Sequence, residues 1–176
     1  MGVSPGPDGT QEQVIMFERL VTEYQTSLLR TCYLYLHDQA QAEDAVQETF
    51  FKAYRSLGTF RGESSDKTWL MKIAINTCHD MRKTGWFRHI DHKITPEMLP
   101  ETSTPAFKME DDLIIQVMNL PRKLMEVVLL YYYQNMDTTE IAQALEIARS
   151  SVSSRLQRAR KELRTVLEGV DGNEGK

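Results

Sequence analysis

Between Thr10 and Glu168 the chain carries only three glycines (Gly58, Gly62, Gly85) and four prolines (Pro96, Pro100, Pro105, Pro121). Strand-rich folds need a turn every 8–12 residues or so, and turns draw on Gly, Pro, Asn and Asp. So few breakers over such a length leave helix as the only regular structure available, and the fold class expected is all-α. The breakers that exist are bunched. Three of the four prolines fall in Thr95-Pro-Glu-Met-Leu-Pro-Glu-Thr-Ser-Thr-Pro-Ala106, and a residue before proline is pushed out of the helical region. This stretch reads as a flexible, Pro-rich linker between two small helical domains.

The boundaries that follow are a tail over 1–11, a first domain over 12–85, a linker over 86–108, a second domain over 109–168 and a tail over 169–176. In the first domain Phe17, Leu20, Val21, Tyr24, Leu28 and Tyr35 recur at three- and four-residue steps, predicting one long amphipathic helix. A second helix is expected from about Ala40 to Leu57, with Val46, Phe50, Tyr54 and Leu57 inward and Gly58 as its stop. After a loop over 59–67, a third runs from about Thr68 to Lys83 with Leu70, Ile73, Thr77 and Met81 inward. The second domain offers helices over Asp112–Asn119, Arg122–Tyr133, Thr138–Leu145 and Ser150 to about Leu167.

Other classes fall away on composition. The longest apolar run, Val127 to Tyr133, is seven residues, against the ~20 of a membrane-spanning helix. The opening Met-Gly-Val-Ser-Pro-Gly lacks a charged-then-apolar leader, and Gly6 stands where a myristoylation signal wants Ser or Thr. Cys32 and Cys78 alone build no disulfide framework or four-thiolate zinc site; they read as buried small hydrophobes in a reducing compartment. The expectation is a cytoplasmic protein. His89-Ile-Asp-His92, with Cys78-His79 upstream, is metal-capable, but no second pair completes four ligands, so no metal is assigned. There is no P-loop, no Gly-rich dinucleotide turn and no motif-backed Ser/His/Asp set. Neither a cofactor nor catalysis is expected.

The short helix pair near the C-terminus is the most informative piece. Asp137 and Glu140 form a capping box; Ile141, Ala142 and Leu145 give the first helix an inward face; Glu146-Ile147-Ala148 is a turn of helix-turn-helix length; and Val152, Leu156, Ala159 and Leu163 line the inner face of the second helix. From Arg149 to Arg164 six basic residues stand against the single Glu162, in a chain whose net charge is −4. A solvated basic helix face is the plain reading. Its concentration in one helix after such a turn points instead to DNA, with Arg149, Arg155, Arg158 and Arg160 as phosphate contacts, Gln157 able to pair bidentately with adenine, and Ser151, Ser153 and Ser154 permitting close approach to base edges. Arg160 is the expected pure phosphate contact.

Ala42-Glu-Asp-Ala-Val-Gln-Glu-Thr-Phe-Phe-Lys-Ala-Tyr54, Phe60-Arg-Gly62, Thr68-Trp-Leu-Met-Lys-Ile-Ala-Ile-Asn76, Leu120-Pro121 and Ser154-Arg-Leu-Gln-Arg-Ala-Arg-Lys161 occur here in one order. Together they resemble a bacterial RNA polymerase sigma factor of the extracytoplasmic-function (ECF) type, over about 150 residues and both domains. The resemblance implies a promoter-specificity subunit without cofactors. It implies that Asp44, Gln47 and Glu48 bind the clamp coiled coil of core polymerase, with the β flap as a further contact. Arg61, Asn76, Arg82 and Lys83 would serve the −10 element, where an amide can read the edge of a flipped base. The alternatives for Asn76 are a core amide or an exposed helix residue, and Trp69 reads as core rather than a base-stacking platform. The basic helix would take the −35 element. An anti-sigma partner, often membrane-bound, is implied as well.

Five positions depart from the family pattern: Asp66 stands where an aromatic or apolar residue is usual, Glu146 where glycine is usual, Ala148 and Ser150 where proline and glycine are common, and Ser153 where Lys or Arg is frequent. Two rival readings remain at this stage. A dimeric helix-turn-helix regulator would need symmetric half-sites one helical turn apart, whereas a monomer bridging two unlike elements ~17 base pairs apart would not. A helical adaptor with an acidic partner would bind without promoter-dependent transcription.

Overall fold

The structure is a computed structural model that describes the backbone of residues 7–83 and 111–171, and side chains over 11–83 and 113–165. The Pro-rich linker, with His89 and His92, lies outside the described residues. All regular structure within them is helical: α1 Pro7–Leu36, α2 Gln39–Ser56, α3 Asp66–Lys83, α4 Asp111–Met118, α5 Arg122–Val128, α6 Thr138–Leu145 and α7 Arg149–Asp171. Helices α1 and α7 run into residues 7–11 and 169–171, which the sequence reading assigns to the tails.

Local chemistry sets the boundaries. Asp38 caps α2, its carboxylate accepting the Gln41 amide at 2.8 Å, which satisfies one of the helix's orphan N–H groups. A 3₁₀ turn, Leu57–Thr59, ends it. Ser65 Oγ accepts the Thr68 amide at 3.1 Å at the start of α3. The expected continuous helix 122–133 is instead α5 followed by a π turn over Leu129–Tyr133. The wider turn lets Leu129 and Leu130 stay buried while Tyr131, Tyr132 and Tyr133 spread over the flank.

Helices α1, α2 and α3 pack mutually, and α7 packs against α4, α5 and α6. Fully buried Leu28, Cys32, Ala45 and Met71 of the first group share one apolar cluster with Val117, Leu130, Ile141, Val152 and Ala159 of the second. A smaller cluster, Leu20, Ala53, Leu57 and Leu70, closes the far end of the first group. The face of α3 differs from the expected one. Met71, Ala74, Ile75 and Cys78 are buried beside Leu70 and Thr77, while Ile73 and Met81 are only half-buried. The cause is that α3 packs on two sides at once, against α1 and α2 and against α6. Tyr54, expected inward, is 45% exposed; its ring lies edge-on to Phe17 at 5.0 Å, and Ala53 takes the buried place.

Candidate functional site

Helix α2 presents a mainly polar outer stripe because most of its apolar positions face inward. Ala42, Ala45, Val46, Thr49, Phe50 and Ala53 are buried, which leaves Asp44, Gln47 and Glu48 exposed on the opposite side. Steps of three and four residues extend that stripe to Phe51 and Arg55. Phe51 is 56% exposed, and the Arg55 guanidinium lies 5.6 Å from its ring centre. Sequence reasoning missed Phe51, since an apolar residue beside Phe50 reads as core. The signal was available, because the period that buries Val46 and Phe50 turns Phe51 outward.

The loop from Phe60 to Ser65 is shaped by Gly62 at φ 69° and by ring stacking of Phe60 on Trp69 at 4.5 Å between centroids. Arg61 is exposed at its edge. Asp66, one of the departures from the family pattern, accepts a 2.5 Å ion pair from Arg19 and so ties the loop to α1. Asn76 is exposed on α3, so it is not a core amide. Lys83 is exposed and near Asp80. Arg82 is half-buried and donates to the Tyr35 carbonyl at 3.0 Å, so part of its donor set is used at the end of α1. Trp69 is half-buried against the small cluster, as expected for a core role.

The helix-turn-helix forms as its sequence demands. Asp137 Oδ1 accepts the Thr139 and Glu140 amides at 2.6 and 2.9 Å, and Glu140 Oε2 accepts the Asp137 amide at 2.9 Å. The backbone bonds hold the Asp137 carboxyl below its usual range. After α6 the Ile147 amide bonds the Ala142 carbonyl and the Glu146 amide the Gln143 carbonyl. This is a Schellman closure with Glu146 in the left-handed region at φ 54°. Val152, Leu156 and Ala159 then face inward on α7. Ser153, Ser154, Gln157 and Arg158 are exposed on its outer side, while Ser151 and Arg155 are half-exposed. Arg149 donates to Thr138 Oγ1 at 3.0 Å, bracing the two helices.

Arg160 departs from expectation. Its Nε donates to the Tyr132 hydroxyl at 2.9 Å, and its guanidinium lies 5.7 and 5.8 Å from the Tyr131 and Tyr132 ring centres. It is an exposed cation that also joins α7 to the π turn.

Comparison with known proteins agrees with this geometry. The family described as Sigma-70 region 2 matches residues 20–88, and Sigma-70, region 4 matches residues 116–163. The RNA polymerase sigma-H factor of Pseudomonas aeruginosa is 30% identical over 166 residues, covering 86% of each chain. The ECF RNA polymerase sigma-E factor of Haemophilus influenzae is 31% identical over 161 residues, covering 82% of this chain and 84% of that one. Among solved structures, CnrH in complex with the cytosolic domain of CnrY superposes with a TM-score of 0.66 at 22% identity, over 87% of this chain and 88% of that one. The sigma factor RpoE of Bartonella quintana, in complex with the anti-sigma factor NepR, gives 0.65 at 21% identity over 93% and 98%; these two show the fold. With both regions in order and relatives matched along most of its length, the chain belongs to the ECF sigma factors, the promoter-specificity subunits of RNA polymerase.

Proposed function

We propose that the two domains divide promoter recognition, with region 2 spanning 12–85 and region 4 spanning 109–168. The outer stripe of α2, Asp44, Gln47 and Glu48 with Phe51 at its centre, docks on the clamp coiled coil of core polymerase. Arg61, Asn76, Arg82 and Lys83 engage the −10 element, and Arg149, Ser151, Ser153, Ser154, Arg155, Gln157, Arg158 and Arg160 the −35 element. The β flap is the second polymerase contact, through region 4. The observation that carries this reading is the separation of surface chemistry. An acidic and apolar stripe is exposed on α2, suited to a protein partner, and a basic, serine- and amide-bearing face is exposed on α7, suited to a groove.

The protein acts as an initiation factor rather than an enzyme, and works in the cytoplasm; no helix among the described residues is long and apolar enough to cross a membrane. Control by an anti-sigma factor is proposed because the neighbours CnrH and RpoE are held by CnrY and NepR. In vitro transcription with core polymerase on genomic fragments, with start sites mapped, tests the reading. Start sites should appear only with this chain present and should share two unlike upstream elements. Symmetric sites bound without polymerase would reverse it.

A further inference from the structure

Between α2 and the body of α3 the chain is shaped mostly by local contacts. Phe60 stacks on Trp69 at 4.5 Å between centroids, and Gly62 turns the backbone at φ 69°. Ser65 opens α3, its Oγ accepting the Thr68 amide at 3.1 Å and its carbonyl the Trp69 amide at 3.0 Å. Leu70 then seats the helix in the small cluster beside Leu20 and Ala53. Apolar burial is non-directional, so it holds the helix without fixing how its first turn is aimed. A directed bond does that, and it comes from α1. Arg19 Nη2 meets Asp66 Oδ2 at 2.5 Å, while Nη1 of the same guanidinium meets Glu23 Oε2 at 3.3 Å, one turn along α1. The planar fork is thus held at one end and offered to Asp66 at the other.

The pair does little for global stability. The Arg19 side chain is 51% exposed and that of Asp66 25%, and exposed pairs contribute little to folding. Its effect is on position. Asp66 lies in the first turn of α3, where the helix dipole favours a negative charge, and Trp69 stands three residues on, along the same side of the helix. Phe60 rests on Trp69, and the next residue, Arg61, is exposed at the loop edge. A shift at Asp66 therefore passes through Trp69 and Phe60 to the residues that face DNA. An aromatic or apolar residue at 66 would grip α1 by contact alone, whereas a carboxylate on a guanidinium is held at one distance and one angle.

We propose that Arg19 is a positioning residue for promoter recognition: acting through Asp66, it fixes the loop from Phe60 to Ser65 and so sets base preference at the −10 positions that this loop serves. The proposal rests on the assignment of the −10 face above and adds to it a residue of α1 that itself touches no DNA. Because the pair is exposed, salt weakens it. A recognition loop aimed by charge loses selectivity as ionic strength rises, and one aimed by apolar packing does not.

In vitro transcription by the full-length chain with core polymerase, on a library varied at each −10 position of a mapped promoter, reads that preference directly. Arg19→Met and Asp66→Asn should each flatten it severalfold at one or two positions, with −35 preference, core affinity and circular dichroism as in the unaltered protein. Arg19→Lys, which keeps the charge, should restore part of it. The double variant should be no flatter than either single one, because both remove the same bond. Rising potassium chloride should flatten the preference of the unaltered protein toward that of Asp66→Asn, whose own preference holds. Unchanged preference in folded Arg19→Met and Asp66→Asn, or losses that add in the double variant, would overturn the tether. So would a uniform loss over all sequences from Arg19→Met alone with a smaller salt slope, since that marks a direct phosphate contact. The −10 assignment fails separately. If Arg61→Ala and Asn76→Ala both leave −10 preference and melting intact, that assignment falls and the tether with it; if they alter preference and Arg19→Met does not, the tether alone falls.

Discussion

Glu126 and His79 are 47 residues apart in the chain and 2.9 Å apart in space, joining region 4 to region 2 through a carboxylate that is only 5% exposed. Burial alone would raise the Glu126 carboxyl. Bonds from His79 and Tyr35, with the charges of His79 and Arg122, outweigh it and hold the group below its ordinary range. The Tyr35 phenol is pushed up by its own burial and by that same negative charge, so it stays a donor.

The pH dependence follows in sign. A carboxyl depressed in the folded state contributes stability that is complete above its unfolded value, ~4.3, and lost as pH falls through the folded value. The urea midpoint should therefore decline below about pH 4.3, and Glu126→Gln should flatten that acid limb while costing roughly 1–3 kcal/mol near neutrality. Parallel acid limbs in the two proteins would mean that Glu126 is not the charged member of this contact.

A second expectation concerns polymerase docking. Asp44→Arg with Glu48→Arg places like charges against a basic partner, which costs several kcal/mol, about a hundredfold or more in core affinity. The helix should survive because both sites are exposed. Phe51→Ala removes a large apolar group from the centre of the same stripe and should cost roughly 1–2 kcal/mol of core binding, with little loss of stability given its 56% exposure. Native-like circular dichroism together with unchanged core affinity in both variants would remove α2 from the interface.

Much of this was legible in the sequence because it rests on local rules. The helices follow from the 3.6-residue period and the scarcity of breakers, and the capping box of Asp137 and Glu140 is read directly from a three-residue spacing. What stayed hidden rests on distant partners. A glutamate at 126 reads as solvent-facing, and only the arrival of Tyr35 and His79 from the other domain makes its burial tolerable. Gln134 is the same case, with Thr31 103 residues away. The burial of Met71, Ala74 and Ile75 could not be drawn from periodicity in α3 alone, since the second packed side is supplied by α6. Glu146 was visible as a departure, but not its ion pair with Lys72 at 2.8 Å.

The two promoter contacts should be separable in the full chain. Asn76 is exposed on α3 and α7 carries the other face. Asn76→Ala should reduce open-complex formation, read by permanganate reactivity of melted thymines, while footprinting over the −35 element stays as in the unaltered protein. An altered −35 preference with normal melting would exchange the roles of the domains.

On α7 the distinction between reading and anchoring now involves three side chains. Gln157 and Arg158 are both exposed on the outer face beyond Ser153 and Ser154, whereas Arg160 is tied back to Tyr131 and Tyr132. An amide at 157 can accept from and donate to one adenine, worth about 1–3 kcal/mol of discrimination. Gln157→Ala should flatten preference at one or two positions of the −35 element and leave the salt dependence nearly unchanged. Arg158→Ala should instead weaken all sequences alike and lower the salt slope by about one. Arg160 should differ from both, because its guanidinium packs on the π turn as well as standing on the −35 face. Arg160→Lys keeps the charge but loses the planar stacking and the directed Nε bond. It should therefore lower the stability of region 4 by about 1 kcal/mol while the salt slope holds. A uniform loss of affinity with a changed slope from Gln157→Ala would show that the amide anchors, and unchanged stability of folded Arg160→Lys would show that the contacts with Tyr131 and Tyr132 do not hold region 4 together.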